Sequence, residues 1–111
     1  MTQMIADTSA LYALVDRADP HHTQAASFLK SRASDRVFLV SNHIFDETMT
    51  VVKARLGIRA ALQLGLRLRN SRFVETVYFS PAEEQETWHI FSQYTDKDWS
   101  YTDCACFVLA R

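Results

Sequence analysis

The chain has 111 residues, 48% of them hydrophobic and 23% charged, with a formal net charge of −1. That is enough apolar material for one core and too little chain for two ordinary domains, so residues 1–111 are expected to form a single domain. The balance excludes a disordered polyelectrolyte and confines any nucleic-acid footprint to a local patch.

Met1 to Ala6 is a short apolar run that stops at Asp7, and Thr8 and Ser9 open the following segment with helix-capping types. This predicts a strand and then a short helix through Leu14. Asp16 to Pro20 is a polar break, after which Ala25, Ala26, Phe28 and Leu29 recur at helical spacing, giving a second helix from His21 to Ala33. Val37 to Val40, bounded by Asp35-Arg36 and Ser41-Asn42, reads as a strand buried on both faces. A third helix follows, capped by Ser41 or Asn42, with Ile44, Phe45, Met49, Val52 and Leu56 on one side and Gly57 as its stop. Ile58 to Asn70 forms a fourth helix, and the aromatic and β-branched stretch Phe73 to Phe79 a third strand. Ser80, Pro81 and Glu83 combine a cap, a first-turn proline and a carboxylate three residues past the cap, so a fifth helix runs to Tyr94. After the loop Asp96 to Trp99, Ser100 and Asp103 repeat the capping-box spacing ahead of Ala105 to Ala110.

Strands separated by helices imply an α/β fold with a parallel sheet flanked by helices, and in such sheets ligands gather beyond the carboxyl ends of the strands. Asp7 ends the first strand, Glu47 lies about one and a half turns into the helix leaving the second, and Asp103 sits in the first turn of the last helix. All three map to that one rim. Carboxylates gathered there raise one another's pKa unless a cation holds them, while helix N-termini help keep them ionised. Magnesium or manganese, hard ions that take oxygen ligands, suit the set. Each acid also has a purely structural reading: Asp7 as a cap, Glu47 as a solvated charge beside Asp46, Asp103 as the partner of Ser100.

Cys104 and Cys106, two apart on a helix, point about 200° apart and cannot bridge each other. They are expected to be reduced, partly buried thiols without a zinc role. No apolar run approaches the roughly 20 residues that span a bilayer, and the N-terminus lacks a basic flank before an apolar run, so the chain is expected to stay in the cytoplasm.

The stretches Ile5 to Leu11, Asn42 to Thr48 and Asp98 to Cys104, in this order and strand context, resemble PIN-domain nucleases, and within them the VapC-like toxins of toxin–antitoxin modules. The resemblance covers almost the whole chain. It implies a PIN-like three-layer fold and a magnesium- or manganese-dependent endoribonuclease whose metal ligands are Asp7, Glu47 and Asp103, with Thr8 behind the first acid. It implies an antitoxin partner as well, and a homodimer is expected alongside. The family places a further aspartate beyond the next strand; this sequence stops at Arg111 with no Gly or Pro ahead of it, so the C-terminal part of the domain is expected to be missing. Asp96 and Asp98 are the substitutes to weigh. The competing reading is a catalytically impaired PIN-like module for RNA binding or protein interaction.

Between Lys53 and Arg72 stand Lys53, Arg55, Arg59, Arg67, Arg69 and Arg72 without an acid, against seven acids and Lys97 from Glu75 to Asp103. The structural reading is a solvated face with salt bridges to the acidic half; the functional one is an RNA-phosphate or partner surface formed by Lys53, Arg55, Arg59, Arg67 and Arg69. His43 is placed near its helix cap rather than on a shared ion with Glu47, and Trp88, Phe91, Tyr94 and Trp99 as core or partner-groove aromatics.

Overall fold

The computed structural model of the protein describes residues 2–32 and 36–111. Met1, Ala33 and Asp35, which the sequence places at element boundaries, lie outside them. Three strands, β1 (Thr2–Ile5), β2 (Arg36–Ser41) and β3 (Val74–Val77), form one sheet in the order β1-β2-β3. Both pairings are parallel, with Met4 opposite Phe38 and Val40 opposite Thr76. All three strands therefore end at the same edge. Among the described residues, α1 (Thr8–Val15) and α2 (His22–Arg32) join β1 to β2, α3 (Asn42–Leu56) and α4 (Ile58–Asn70) join β2 to β3, and α5 (Pro81–Gln93) and α6 (Tyr101–Leu109) follow β3.

The starts of α3, α5 and α6 obey the capping chemistry written in the sequence. Ser41 accepts from the Ile44 amide, and Ser80 with Glu83 closes a full capping box. The stop at Gly57 is a backbone requirement: φ is +95° with ψ 171°, a region essentially reserved for glycine, and it turns the chain from α3 directly into α4. The two helices then pack closely, since a Cβ on Gly65 would stand 3.1 Å from the Met49 sulfur. His22 at the start of α2 is tied back to the Ala13 carbonyl by its Nδ1, 2.6 Å away.

The main core gathers Ala6, Leu11, Tyr12, Val40, Ile44, Val52, Ala61, Leu64 and Leu68, drawn from the sheet and from α1, α3 and α4. Val40, Ile44 and Val52 are fully buried, and each stabilises the fold by about 1.5–3 kcal/mol. Truncating Ile44 to alanine should cost about 2–5 kcal/mol. A second cluster joins Ile90 of α5 to Cys104 and Val108 of α6, with Phe79 and Trp99 against it.

One expectation is met only in part. In β2, Val40 and Ser41 are buried, but residues Arg36 to Leu39 are half-exposed. For Phe38 the reason is an open apolar cleft of about 830 Å³ whose walls also include Met4 and Val74 from the sheet, Leu11 and Leu14 from α1, and Leu64 from α4.

Candidate metal centre at the carboxyl edge of the sheet

Asp7 stands two residues past β1 and takes the N-cap of α1, its Oδ1 accepting from the Ala10 amide at 2.9 Å. Asp103 is the carboxylate of the α6 capping box, whose N-cap is Ser100: its Oδ2 accepts from the Ser100 amide at 2.9 Å while Ser100 Oγ accepts from the Asp103 amide at 3.0 Å. The structural readings of both acids are thus realised. Each bond engages one carboxylate oxygen, fixes the group at a helix N-terminus, and leaves its charge where the helix dipole favours it. Glu47, half-buried, is carried by the second turn of α3. Beside it, the fully buried Thr48 donates its hydroxyl to that of Thr8 at 3.3 Å, so the start of α1 is joined to α3 next to two of the three acids.

Cys106 shows how these acids relate. Its thiol is pushed up to about 11, first by burial and then by the negative charges of Asp7, Asp103 and Glu47. All three carboxylates therefore lie within electrostatic reach of one half-buried sulfur. Among the described residues, no three His, Cys, Asp or Glu side chains are close enough together to chelate an ion. Like charges around one point repel, and the capping bonds hold Asp7 and Asp103 to their own helices. Cys106 lies three residues past Asp103, on the same helix face, and that spacing was the available signal for its membership.

His43 and Glu84 were not read from the sequence as a pair. His43, in the first turn of α3, hydrogen-bonds through Nε2 to Glu84 Oε1 of α5 at 2.5 Å. The Phe79 ring meets the imidazole edge-on at 5.2 Å between centroids, and the Tyr101 ring tilts against it at 5.7 Å. The neighbouring Asn42 accepts through Oδ1 from the Phe79 amide at 3.0 Å. These contacts bring the starts of α3, α5 and α6 together, and so put Asp103 on the same rim as Asp7 and Glu47.

The cationic residues stand further out. Lys53 and Arg55 are exposed in the last turn of α3, roughly 9–12 Å along the axis from Glu47. The Arg55 guanidinium lies 5.2 Å from the centre of the Tyr12 ring, whose hydroxyl donates to Asp16. Arg59, Arg67 and Arg69 are exposed on α4, and Arg69 helps line a shallow pocket of about 210 Å³ with Asn42, Phe45 and Asp46. Among the described residues, the ion pairs are His43–Glu84 and Arg111–Glu86. The face from Lys53 to Arg72 is solvated without the salt bridges to the acidic half. Asp96 and Asp98 are exposed in the loop before α6. Trp88, Phe91 and Tyr94 are 54%, 40% and 48% exposed, too open for core residues, while Trp99 packs on Phe107.

The PIN-domain family model matches residues 4–111. The 23S rRNA-specific endonuclease VapC20 of Mycobacterium tuberculosis is 29% identical over 105 residues, which cover 95% of this chain and 78% of that protein. Ribonuclease VapC26 of the same organism is 32% identical over 107 residues, 96% of this chain and 77% of that one. The crystal structure of M. tuberculosis VapC20, a sarcin-ricin loop cleaving toxin, superposes with a TM-score of 0.87 at 26% identity, over 99% of this chain and 82% of the other.

Proposed function

The chain belongs to the PIN-domain family, and on that footing we propose that it is an RNA-cleaving toxin of the VapC kind, a magnesium- or manganese-dependent endoribonuclease in which Asp7, Glu47 and Asp103 hold the ion. The observation that carries this reading is that three carboxylates from separate elements, two of them bonded at the N-termini of α1 and α6, act on the single Cys106 thiol. A purely structural use of Asp7 and Asp103 as caps would not require Glu47 to join them.

The donor set fits a hard divalent cation. It is all oxygen, anionic, and placed at the starts of α1 and α6, and the protonated Cys106 thiol is withheld as a ligand. When bound, such an ion supplies positive charge at the scissile phosphate and acidifies a water. The chain's own residues do the rest. Asp7 and Asp103 are held by their capping bonds, and the Thr8–Thr48 bond keeps α1 against α3. Lys53, Arg55, Arg59, Arg67 and Arg69 provide a track for RNA phosphates outside the acidic rim. A cationic surface near an anionic centre separates binding of the polymer from handling of the ion.

The proposal extends to partners and place. The toxin acts in the cytoplasm, is silenced by an antitoxin, and self-associates as a homodimer. Ile58, Leu62 and Leu66, each more than half exposed, recur every four residues along α4 and form an apolar stripe for association. Among the described residues, no helix is long and apolar enough to cross a membrane.

The test is cleavage of a structured ribosomal RNA hairpin by the metal-stripped protein, followed by add-back of magnesium or manganese. Cleavage should appear only after add-back and should be absent in Asp7→Asn. Cleavage that persists in chelator and survives Asp7→Asn would overturn the metal mechanism. RNA binding without cleavage under every metal condition would favour the impaired-module reading.

A further inference from the structure

Glu47 sits between two inter-element bonds made by its own helix. One turn before it, His43 is bonded to Glu84 of α5 and packed against Tyr101 of α6; directly after it, Thr48 is bonded to Thr8 of α1. The threonine pair fixes α3 relative to the residue next to Asp7. The histidine contacts fix α3 relative to the first turn of α6, two residues before Asp103. His43 thus lies on a route of contacts from the helix that carries Glu47 to the helix that carries Asp103.

We propose that His43 is a positioning residue for the metal centre: its ring, held by Glu84 and by Phe79 and Tyr101, locks the first turn of α3 against the first turn of α6 and so fixes the separation of Glu47 and Asp103. This rests on the reading of Asp7, Glu47 and Asp103 as ligands. The imidazole is well placed for the task. It is 18% exposed, so its position is decided by packing, and its partner is 41 residues away on another helix, so the bond serves no local helix chemistry. Glu84 lies in the first turn of α5, which Ser80 and Glu83 already cap. Its carboxylate is thereby left to reach across to α3. Phe91 of α5 meets Tyr101 edge-on, 5.2 Å between centroids, and so adds a second contact to the ring that touches His43.

The experiment measures manganese affinity by isothermal titration calorimetry, and kcat and KM for a structured RNA, in the wild-type chain and in His43→Ala, His43→Gln, Glu84→Ala and His43→Ala/Glu84→Ala, with thermal melts on each. Glutamine places an amide near the position of Nε2 and can donate to Glu84, so it preserves the bond without the ring. The expected result is a manganese Kd raised roughly 10-fold in His43→Ala and in Glu84→Ala, the range of lost outer contacts at metal sites. kcat should fall alongside, KM for RNA should stay within about twofold, the double variant should be no worse than the worse single one, and His43→Gln should recover most of the affinity. Unchanged manganese affinity in folded His43→Ala and His43→Gln overturns the proposal, as does a raised KM with unchanged kcat, which would make His43 an RNA contact. Additive losses in the double variant overturn it too. Asp7→Asn separates the two levels: if it alone loses manganese, the ligand reading stands and the positioning role falls, and if it binds manganese as the wild type does, the ligand reading falls and takes this proposal with it.

Discussion

Asp7 and Asp103 each make a capping bond and, in the proposed function, hold the ion, two tasks that substitution can pull apart. Ser100→Ala removes the hydroxyl half of the α6 capping box and should cost about 1 kcal/mol of stability, yet it leaves the Asp103 charge in place. Asp103→Asn keeps the size of the side chain and removes the charge. We expect Ser100→Ala to lower the melting temperature with cleavage retained, and Asp103→Asn to abolish cleavage with a small change in melting; a melting series run beside the activity assay checks both. Cys106 reports the same charges independently. With its thiol near 11, roughly one molecule in a thousand is ionised at pH 8, so alkylation should be slow. The carboxylates raise that value by opposing the thiolate, so replacing Asp7 with Asn lowers it and speeds iodoacetamide labelling several-fold in a Cys104→Ala background. Because burial is the larger cause, the rate should not reach that of a free thiol. A labelling rate indifferent to Asp7 would separate this acid from the thiol.

At the scale of elements, the starts of α3, α5 and α6 were legible because each is specified within four residues. Ser80 to Glu83 and Ser100 to Asp103 are closed by side chains that any reader of the chain can pair. Gly57 was legible as a stop, although its necessity comes from a positive φ that spacing does not reveal. Gly57→Ala should destabilise the chain by about 1–3 kcal/mol through backbone strain alone, since nothing lies within 4 Å of the added Cβ. Chemical denaturation would measure it, and a neutral result would mean the α3–α4 corner relaxes. The half-exposure of Phe38 in β2 was illegible, because an apolar letter does not say that an open cleft lies over its face of the sheet. The His43–Glu84 bond escaped for a related reason: it joins helices 41 residues apart, and only the parallel sheet brings their starts to one edge.

Across the whole molecule, charge is divided along the chain, cations from Lys53 to Arg72 and acids from Glu75 to Asp103. The sequence suggested that the two halves would neutralise each other in salt bridges. They do not among the described residues, because α3 and α4 pack on each other as a hairpin and turn their cations to water. That leaves a surface free to bind phosphate. Replacing Arg67 and Arg69 with glutamine should raise KM for RNA, flatten its dependence on salt and leave kcat nearly unchanged, as removal of phosphate contacts requires. Steady-state cleavage at two salt concentrations decides it. For association, Leu62→Glu with Leu66→Glu should shift the chain to monomer in sedimentation equilibrium; a wild type that is monomeric at high concentration would remove the homodimer.

The proposed ion site is where residue, element and molecule meet, since its three acids, at the N-cap of α1 and on α3 and α6, share no local sequence. The most direct test is the manganese affinity of the wild-type chain and of Asp7→Asn, Glu47→Gln and Asp103→Asn, read from the free-ion signal in electron paramagnetic resonance. One site in the wild type, weakened by more than about 10-fold in each of the three variants, is the predicted result; a variant that binds manganese as the wild type does would show that its carboxylate is a helix cap or a surface charge and that the three do not form one centre.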